Sequence, residues 1–332
     1  MKPELALYDE IDRILETKEM RKLNGKDFIQ FDDVNAHQIF MLFQIAERMK
    51  TLHAQKKPLP PLLKQKTIAL LFEKPSTRTR VSFDVGINLL GGHSVFIDKQ
   101  STQMGRGEDW KDTAHTLSQY TDAIMGRVFE HKELELMADY SPHPVINGLT
   151  NEDHPCQTLS DLYTIHEHYK GYHNITVMYA GVANNVSNSL MVGCGMVGIN
   201  MDIVSPKPFP VSQKYYRLAK KYSKKTNVEI RTFTSMPDKK TLKNVNIVYT
   251  DEWESMHMKL DKKKILPLLK PLQVNDKLLN QCARNVNAMH CLPAKKGEEI
   301  TENVIYGKRS LIWKQAQNRM WTQMALMSTL LK

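Results

Sequence analysis

The chain has 332 residues, enough for two domains of ordinary size, each with its own core. Its formal charge is +10, but the excess lysine falls in short runs such as Lys220-Lys221, Lys224-Lys225, Lys239-Lys240 and Lys262 to Lys264. These read as solvated helix faces, because no aromatic interleaving or known module accompanies them, and a nucleic-acid partner is set aside. No run is apolar for long enough to span a bilayer, the N-terminus is too acidic and polar for a signal peptide, and Cys156, Cys194, Cys282 and Cys291 lack CxxC spacing. The expectation is a cytoplasmic protein with reduced thiols and no membrane association.

The first predicted element is an amphipathic segment over 5–20, followed by a helix over 35–53 with Ile39, Leu42, Phe43, Ala46 and Met49 on one face. Prolines at 58, 60 and 61 end it. Strand-like runs at 67–72, 93–97, 122–128 and 144–147 then alternate with helical runs near 76–90, 109–120 and 132–139, the βαβ rhythm of a parallel sheet. After a pause at Asn147-Gly148-Leu149, a helix over 155–169 opens on Pro155, a natural first-turn residue, and is expected to bridge two domains. The second half repeats the pattern, with strands at 175–180, 201–204, 228–233, 245–250 and 287–289 and helices near 184–197, 212–224 and 276–283. A strongly apolar helix over 311–331 closes the chain. The fold class expected is α/β, two doubly wound parallel-sheet domains joined by interdomain helices.

The most informative stretch is Ser76-Thr77-Arg78-Thr79-Arg80, between the strand at 67–72 and the helix that follows. Pro75 breaks the chain and Ser76 is a good N-cap. A helix starting there offers unpaired backbone N–H groups and the positive end of its dipole, with two hydroxyls and two guanidiniums expected to converge on the same point. An anion, phosphate above all, suits that arrangement. Arg127 ends the strand at 122–128, at the edge where open α/β sheets place ligand groups, although a surface ion pair explains it equally well.

Three further constellations stay open between a bland and a chemical reading. His154-Pro155-Cys156-Gln157 is either a simple helix cap or an imidazole and an amide presented to a substrate carbonyl. Asp251 follows the strand at 245–250 and is either part of an acidic loop or a carboxylate that holds an amine. Cys291, in His290-Cys291-Leu292-Pro293, is a buried thiol or a reactive one; a metal is disfavoured because no second ligand pair lies at metal spacing. Gly193-x-Gly195-x-x-Gly198 matches a dinucleotide fingerprint formally, but it ends a helix and precedes a strand, the wrong context for phosphate binding.

Taken in order, Ser76 to Arg80, Arg127-Val128-Phe129, His154 to Gln157, Asn184-Asn185, Asp251 with Ser255-Met256, His290 to Pro293 and Gln317-Asn318-Arg319 resemble the aspartate/ornithine carbamoyltransferase family, and closely its ornithine branch. The match runs from about Leu23 onward. The resemblance implies a carbamoyl-phosphate-binding domain over 1–150, an ornithine-binding domain over 151–310, a C-terminal helix over 311–332 packing back on the first domain, a trimeric catalytic unit, and no metal or organic cofactor. It implies that Ser76, Thr77, Arg78 and Thr79 bind the phosphate of carbamoyl phosphate, that Arg127, His154, Gln157 and Arg319 hold its carbamoyl end and complete its site, and that Gln103 lies on a loop reaching a neighbouring subunit's site. For L-ornithine it implies Asn185, Asp251, Ser255, Met256, Cys291 and Leu292, with Arg127, His154, Cys291 and Asp251 carrying the catalysis. A putrescine-specific enzyme and a non-catalytic ligand-binding subunit are the alternatives. Two positions depart from the ornithine branch: His257 stands where a glycine is usual and Val182 where an aspartate is usual.

Overall fold

The computed structural model describes residues 3–254 and 262–332, which form two compact units, Met1–Leu159 with Asn318–Lys332 and Ser160–Gln317. The boundaries fall inside the helices Pro155–Tyr169 and Ile312–Leu330. All nine expected strands form, within two residues of the expected ends. They are β1 (Thr67–Phe72), β2 (His93–Asp98), β3 (Ala123–Arg127), β4 (Val145–Leu149), β5 (Thr176–Ala180), β6 (Asn200–Val204), β7 (Ile230–Phe233), β8 (Ile247–Thr250) and β9 (Asn287–His290).

In the first unit the sheet order is β2-β1-β3-β4, all parallel, with Phe72 in register with both Asp98 and Arg127. Ala69, Leu71, Ile124, Leu134 and Val145 pack in one buried cluster, each large apolar side chain contributing about 1.5–3 kcal/mol by burial. In the second unit the order is β7-β6-β5-β8-β9, again parallel, with Thr250 in register with His290. The chain reverses its direction of growth between β1 and β3 in one sheet and between β5 and β8 in the other. Such switch points leave a crevice at the carboxyl ends of the strands, where ligands bind.

Several helices differ from expectation for local reasons. The N-terminal segment is two helices, Pro3–Leu15 and Lys18–Arg21, because the Thr17 hydroxyl caps the second by accepting the Met20 N–H at 3.4 Å. The helix expected over 276–283 stops at Leu279, and the Ala283 N–H donates to the Val245 carbonyl instead. The helix Lys262–Leu269 continues through Pro267, which has no N–H to donate within it. Gly198 ends the helix Asn185–Val197 in the left-handed region, and a Cβ on Gly195 would lie 2.7 Å from the Ala219 carbonyl oxygen. These glycines therefore serve helix termination and close helix packing, as their context predicts. Among the described residues no helix is long and apolar enough to cross a membrane.

Candidate active site

The anion socket of the first unit is built where β1 hands over to the helix Thr77–Leu89. Ser76 is its N-cap, with the hydroxyl oxygen accepting the Thr79 N–H at 3.2 Å, so the cap also fixes Thr79. Thr79 is buried, and its hydroxyl oxygen is the meeting point of two arginines: Arg319 Nη2 donates to it at 2.9 Å and Arg127 Nη1 at 3.4 Å. Arg319 also donates through Nη1 to Gln157 Oε1. Arg127 closes β3, Gln157 lies in the first turn of Pro155–Tyr169, and Arg319 comes from the last helix, so three distant segments converge. Arg80 does not join them. Its exposed guanidinium lies over the Phe96 ring of β2, 3.6 Å from the centroid, because one helical turn carries alternate residues away from the cap.

His154 is buried beside this group. Burial, then Arg319, Arg127 and Arg78, push its imidazole well below the ordinary range. The ring is neutral at physiological pH and can donate one hydrogen bond to a carbonyl oxygen without adding charge. Cys156 is also buried and its thiol is pushed up to about 12, mainly by burial, which removes it as a nucleophile. Lys74 lies two residues before the cap Ser76. It is 2% exposed, donates to Asn151 Oδ1 at 2.7 Å and lies 4.0 Å from the centroid of Phe129, and burial followed by repulsion from Arg127 brings it down to about 7. Gln103 is exposed, at the start of the turn Gln103–Arg106, whose base is tied down by the Lys99–Glu73 pair at 2.5 Å.

In the second unit the switch-point crevice holds a carboxylate with defined partners. Asp251, just past β8, accepts the Cys291 thiol at 2.9 Å and the Glu252 N–H at 2.8 Å on one oxygen, and the Asn184 side-chain amide at 2.7 Å on the other. Asn184 is the N-cap of Asn185–Val197, its carbonyl oxygen accepting from Val186 and Ser187. The sequence marks it only as one of an Asn pair, whereas it is the residue that joins the helix cap to Asp251, and Asn185 starts the helix beside it. Cys291 and Leu292 follow β9, with Leu292 in the left-handed region at φ 60°. Asp251, His290 and Cys291 each bring a ligand atom within 4.8 Å of the others. Val182 packs in the apolar cluster that includes Val204, Phe209 and Trp253, so a core position takes the place of the usual aspartate. Ser255, Met256 and His257 lie outside the described residues.

Both units therefore carry, at a switch point, a set of groups matched to opposite charges: arginines around a buried hydroxyl in one, a hydrogen-bonded carboxylate in the other. Residues 26–167 match the model of the carbamoyl-phosphate-binding domain of aspartate/ornithine carbamoyltransferases, and residues 173–330 match that of the Asp/Orn-binding domain. The chain belongs to the aspartate/ornithine carbamoyltransferase family. It is 43% identical over 310 residues to an ornithine carbamoyltransferase of Aquifex aeolicus, covering 92% of this chain and 98% of that one. With an anabolic ornithine carbamoyltransferase of Pyrococcus furiosus it shares 38% identity over 307 residues, 92% and 96% of the two chains. The solved structure of an ornithine carbamoyltransferase from Pyrococcus furiosus has a TM-score of 0.88 at 37% identity, covering 93% and 98%. An aspartate transcarbamoylase structure from Trypanosoma cruzi, 21% identical with a TM-score of 0.86 and coverage of 94% and 97%, shares the fold. This carbamoyltransferase thus carries the family's two domain models over nearly its whole length.

Proposed function

We propose that this carbamoyltransferase transfers the carbamoyl group of carbamoyl phosphate to the δ-amine of L-ornithine, giving L-citrulline and phosphate. The observation that carries the proposal is the convergence of Arg127 and Arg319 on Thr79, at a capped helix start and beside a neutral His154. In this reading Ser76, Thr77, Arg78 and Thr79 bind the phosphate, and their charge and backbone N–H groups stabilise it as it departs. Arg127, His154 and Thr79 stabilise the oxyanion that develops on the carbamoyl oxygen, with Gln157 and Arg319 completing the site.

The neutral δ-amine attacks the carbamoyl carbon directly, with no covalent enzyme intermediate. Asp251 and Cys291 orient the amine, and Asn185, Ser255, Met256 and Leu292 contact the amino acid. Asp251 with Glu252 and Glu254 makes an acidic loop, which suits an amine and disfavours the second carboxylate of aspartate. The working unit is a homotrimer in the cytoplasm, with Gln103 reaching the neighbouring subunit's site and with no metal, organic cofactor, nucleic acid or membrane required.

Incubating the protein with carbamoyl phosphate and ornithine, putrescine or aspartate, and measuring each carbamoylated product, tests the assignment. Citrulline is the expected product. Its rate should rise with pH as the amine loses its proton. Carbamoyl-putrescine or carbamoyl-aspartate with no citrulline would overturn the choice of amine.

A further inference from the structure

The loop that carries Cys291 is held by a buried pair to which the reaction above gives no role. His290, the last residue of β9, and Glu299 are both buried. His290 Nδ1 lies 2.8 Å from the Leu292 backbone nitrogen. A backbone N–H only donates, so Nδ1 is an unprotonated acceptor and the ring hydrogen sits on Nε2. Nε2 lies 3.2 Å from Glu299 Oε1 and donates to it. The same oxygen accepts the Lys295 N–H at 2.5 Å. One carboxylate therefore stitches both ends of the turn after β9, Lys295 directly and Leu292 through the imidazole.

That turn needs holding. Leu292 has φ 60°, a left-handed region that a residue with a Cβ seldom adopts unless its surroundings hold it there. The β9 end is fixed separately, since the His290 N–H donates to Gln315 Oε1 at 3.0 Å. Between the two anchors sits Cys291, whose thiol meets Asp251. The ring cannot take part in a proton relay to Cys291 through Nδ1, because Leu292 occupies that nitrogen.

We infer that Glu299 is a positioning residue for the amine substrate: through His290 it fixes the tautomer that holds Leu292 in its left-handed conformation, and so sets Cys291 and Leu292 against Asp251. The inference rests on the ornithine reading for its kinetic consequence. Its structural half stands without it.

Four variants of the full chain test this. Glu299→Leu removes the acceptor, whereas Glu299→Gln keeps a carbonyl oxygen able to accept both bonds. His290→Asn places an amide oxygen near the position of Nδ1, where it accepts the Leu292 N–H, whereas His290→Gln places its amide near the position of Nε2, where it donates to Glu299 and leaves the Nδ1 position empty. Glu299→Leu should raise the ornithine KM by about tenfold more than Glu299→Gln does, and His290→Gln should raise it more than His290→Asn, with the carbamoyl phosphate KM within about twofold throughout. Equal effects within each pair, or matched losses for both substrates, would overturn the inference. If Glu299→Leu does not fold, the His290 pair decides alone. Nitrogen-15 spectra of the unliganded wild-type protein should find His290 protonated only at Nε2, and iodoacetamide should alkylate Cys291 at a different rate in Glu299→Leu than in Glu299→Gln. A ring protonated at Nδ1 sinks the inference whatever the substrate is. A wild-type protein that makes no citrulline sinks only the ornithine reading.

Discussion

Arg319 Nη2 donates to the hydroxyl of Thr79 at 2.9 Å across 240 residues of sequence, and Arg127 shares the same acceptor. Thr79→Val keeps the shape and the helix but removes the oxygen from both guanidiniums. Hydrogen bonds to charged groups contribute about 1.5–3 kcal/mol, so the carbamoyl phosphate KM should rise by about 10- to 100-fold. Both bonds are buried and formed without ligand, so the melting temperature should also fall. An unchanged KM for carbamoyl phosphate would remove Thr79 from the socket.

His154 makes the fold sensitive to acid. Its native pKa is well below the ordinary value because of burial and the neighbouring arginines, whereas in the unfolded chain it titrates near its ordinary value of 6.5. Between those values the unfolded state binds more protons. The stability contributed by the neutral ring is therefore complete above about pH 6.5 and is lost as pH falls toward the native pKa. His154→Gln, which cannot titrate, should lose less stability than the wild type in urea unfolding between about pH 6.5 and 5. Parallel curves for the two proteins would contradict the assignment.

Lys74 shifts in the same direction and acts in a different window. With a native pKa of about 7 against an ordinary 10.5, it adds a rise of stability with pH between those values. An anion bound beside Arg127 favours the charged amine and raises that pKa. Carbamoyl phosphate should consequently bind with proton uptake near pH 8, measurable by calorimetry in buffers of different ionisation enthalpy. Lys74→Met should abolish the uptake.

Asn184 performs two tasks that one substitution can separate. Serine is as good an N-cap as asparagine, but Asn184→Ser has no amide to donate to Asp251. Unfolding free energy should change by less than about 0.5 kcal/mol, while the KM for the amine rises by about fivefold or more. Asn184→Ala should lose both, with about 1 kcal/mol of stability gone. If Asn184→Ser keeps the wild-type KM, the amide does not orient Asp251.

Strands were legible because their apolar runs are short and bounded by turn residues, as in Thr67–Phe72 and Ile247–Thr250. The anion socket was legible because cap and hydroxyls are contiguous in sequence. Arg80 was misplaced because adjacency in sequence is not adjacency on a helix: Arg78 acts electrostatically on His154, whereas Arg80 turns toward Phe96. Asn184 was underread because its role depends on Asp251, 67 positions away, which no local pattern reveals. Lys74 lay in plain view; its depressed basicity comes from packing around Phe129 and from Arg127, neither of which has a sequence signature.

The division of the first unit into Met1–Leu159 and Asn318–Lys332 has a bearing on biosynthesis. During translation, at about 5–20 residues per second, Thr79, Arg127 and His154 leave the ribosome while most of Ser160–Gln317 is still to be made. The first sheet can pair in that interval, but the guanidinium of Arg319 arrives only when the last helix is synthesised. A half-made chain therefore holds an unfinished socket, in which Thr79 has met only one of its two guanidiniums. Completion of the cluster around Thr79 thus waits for the second unit, because of the position of one arginine.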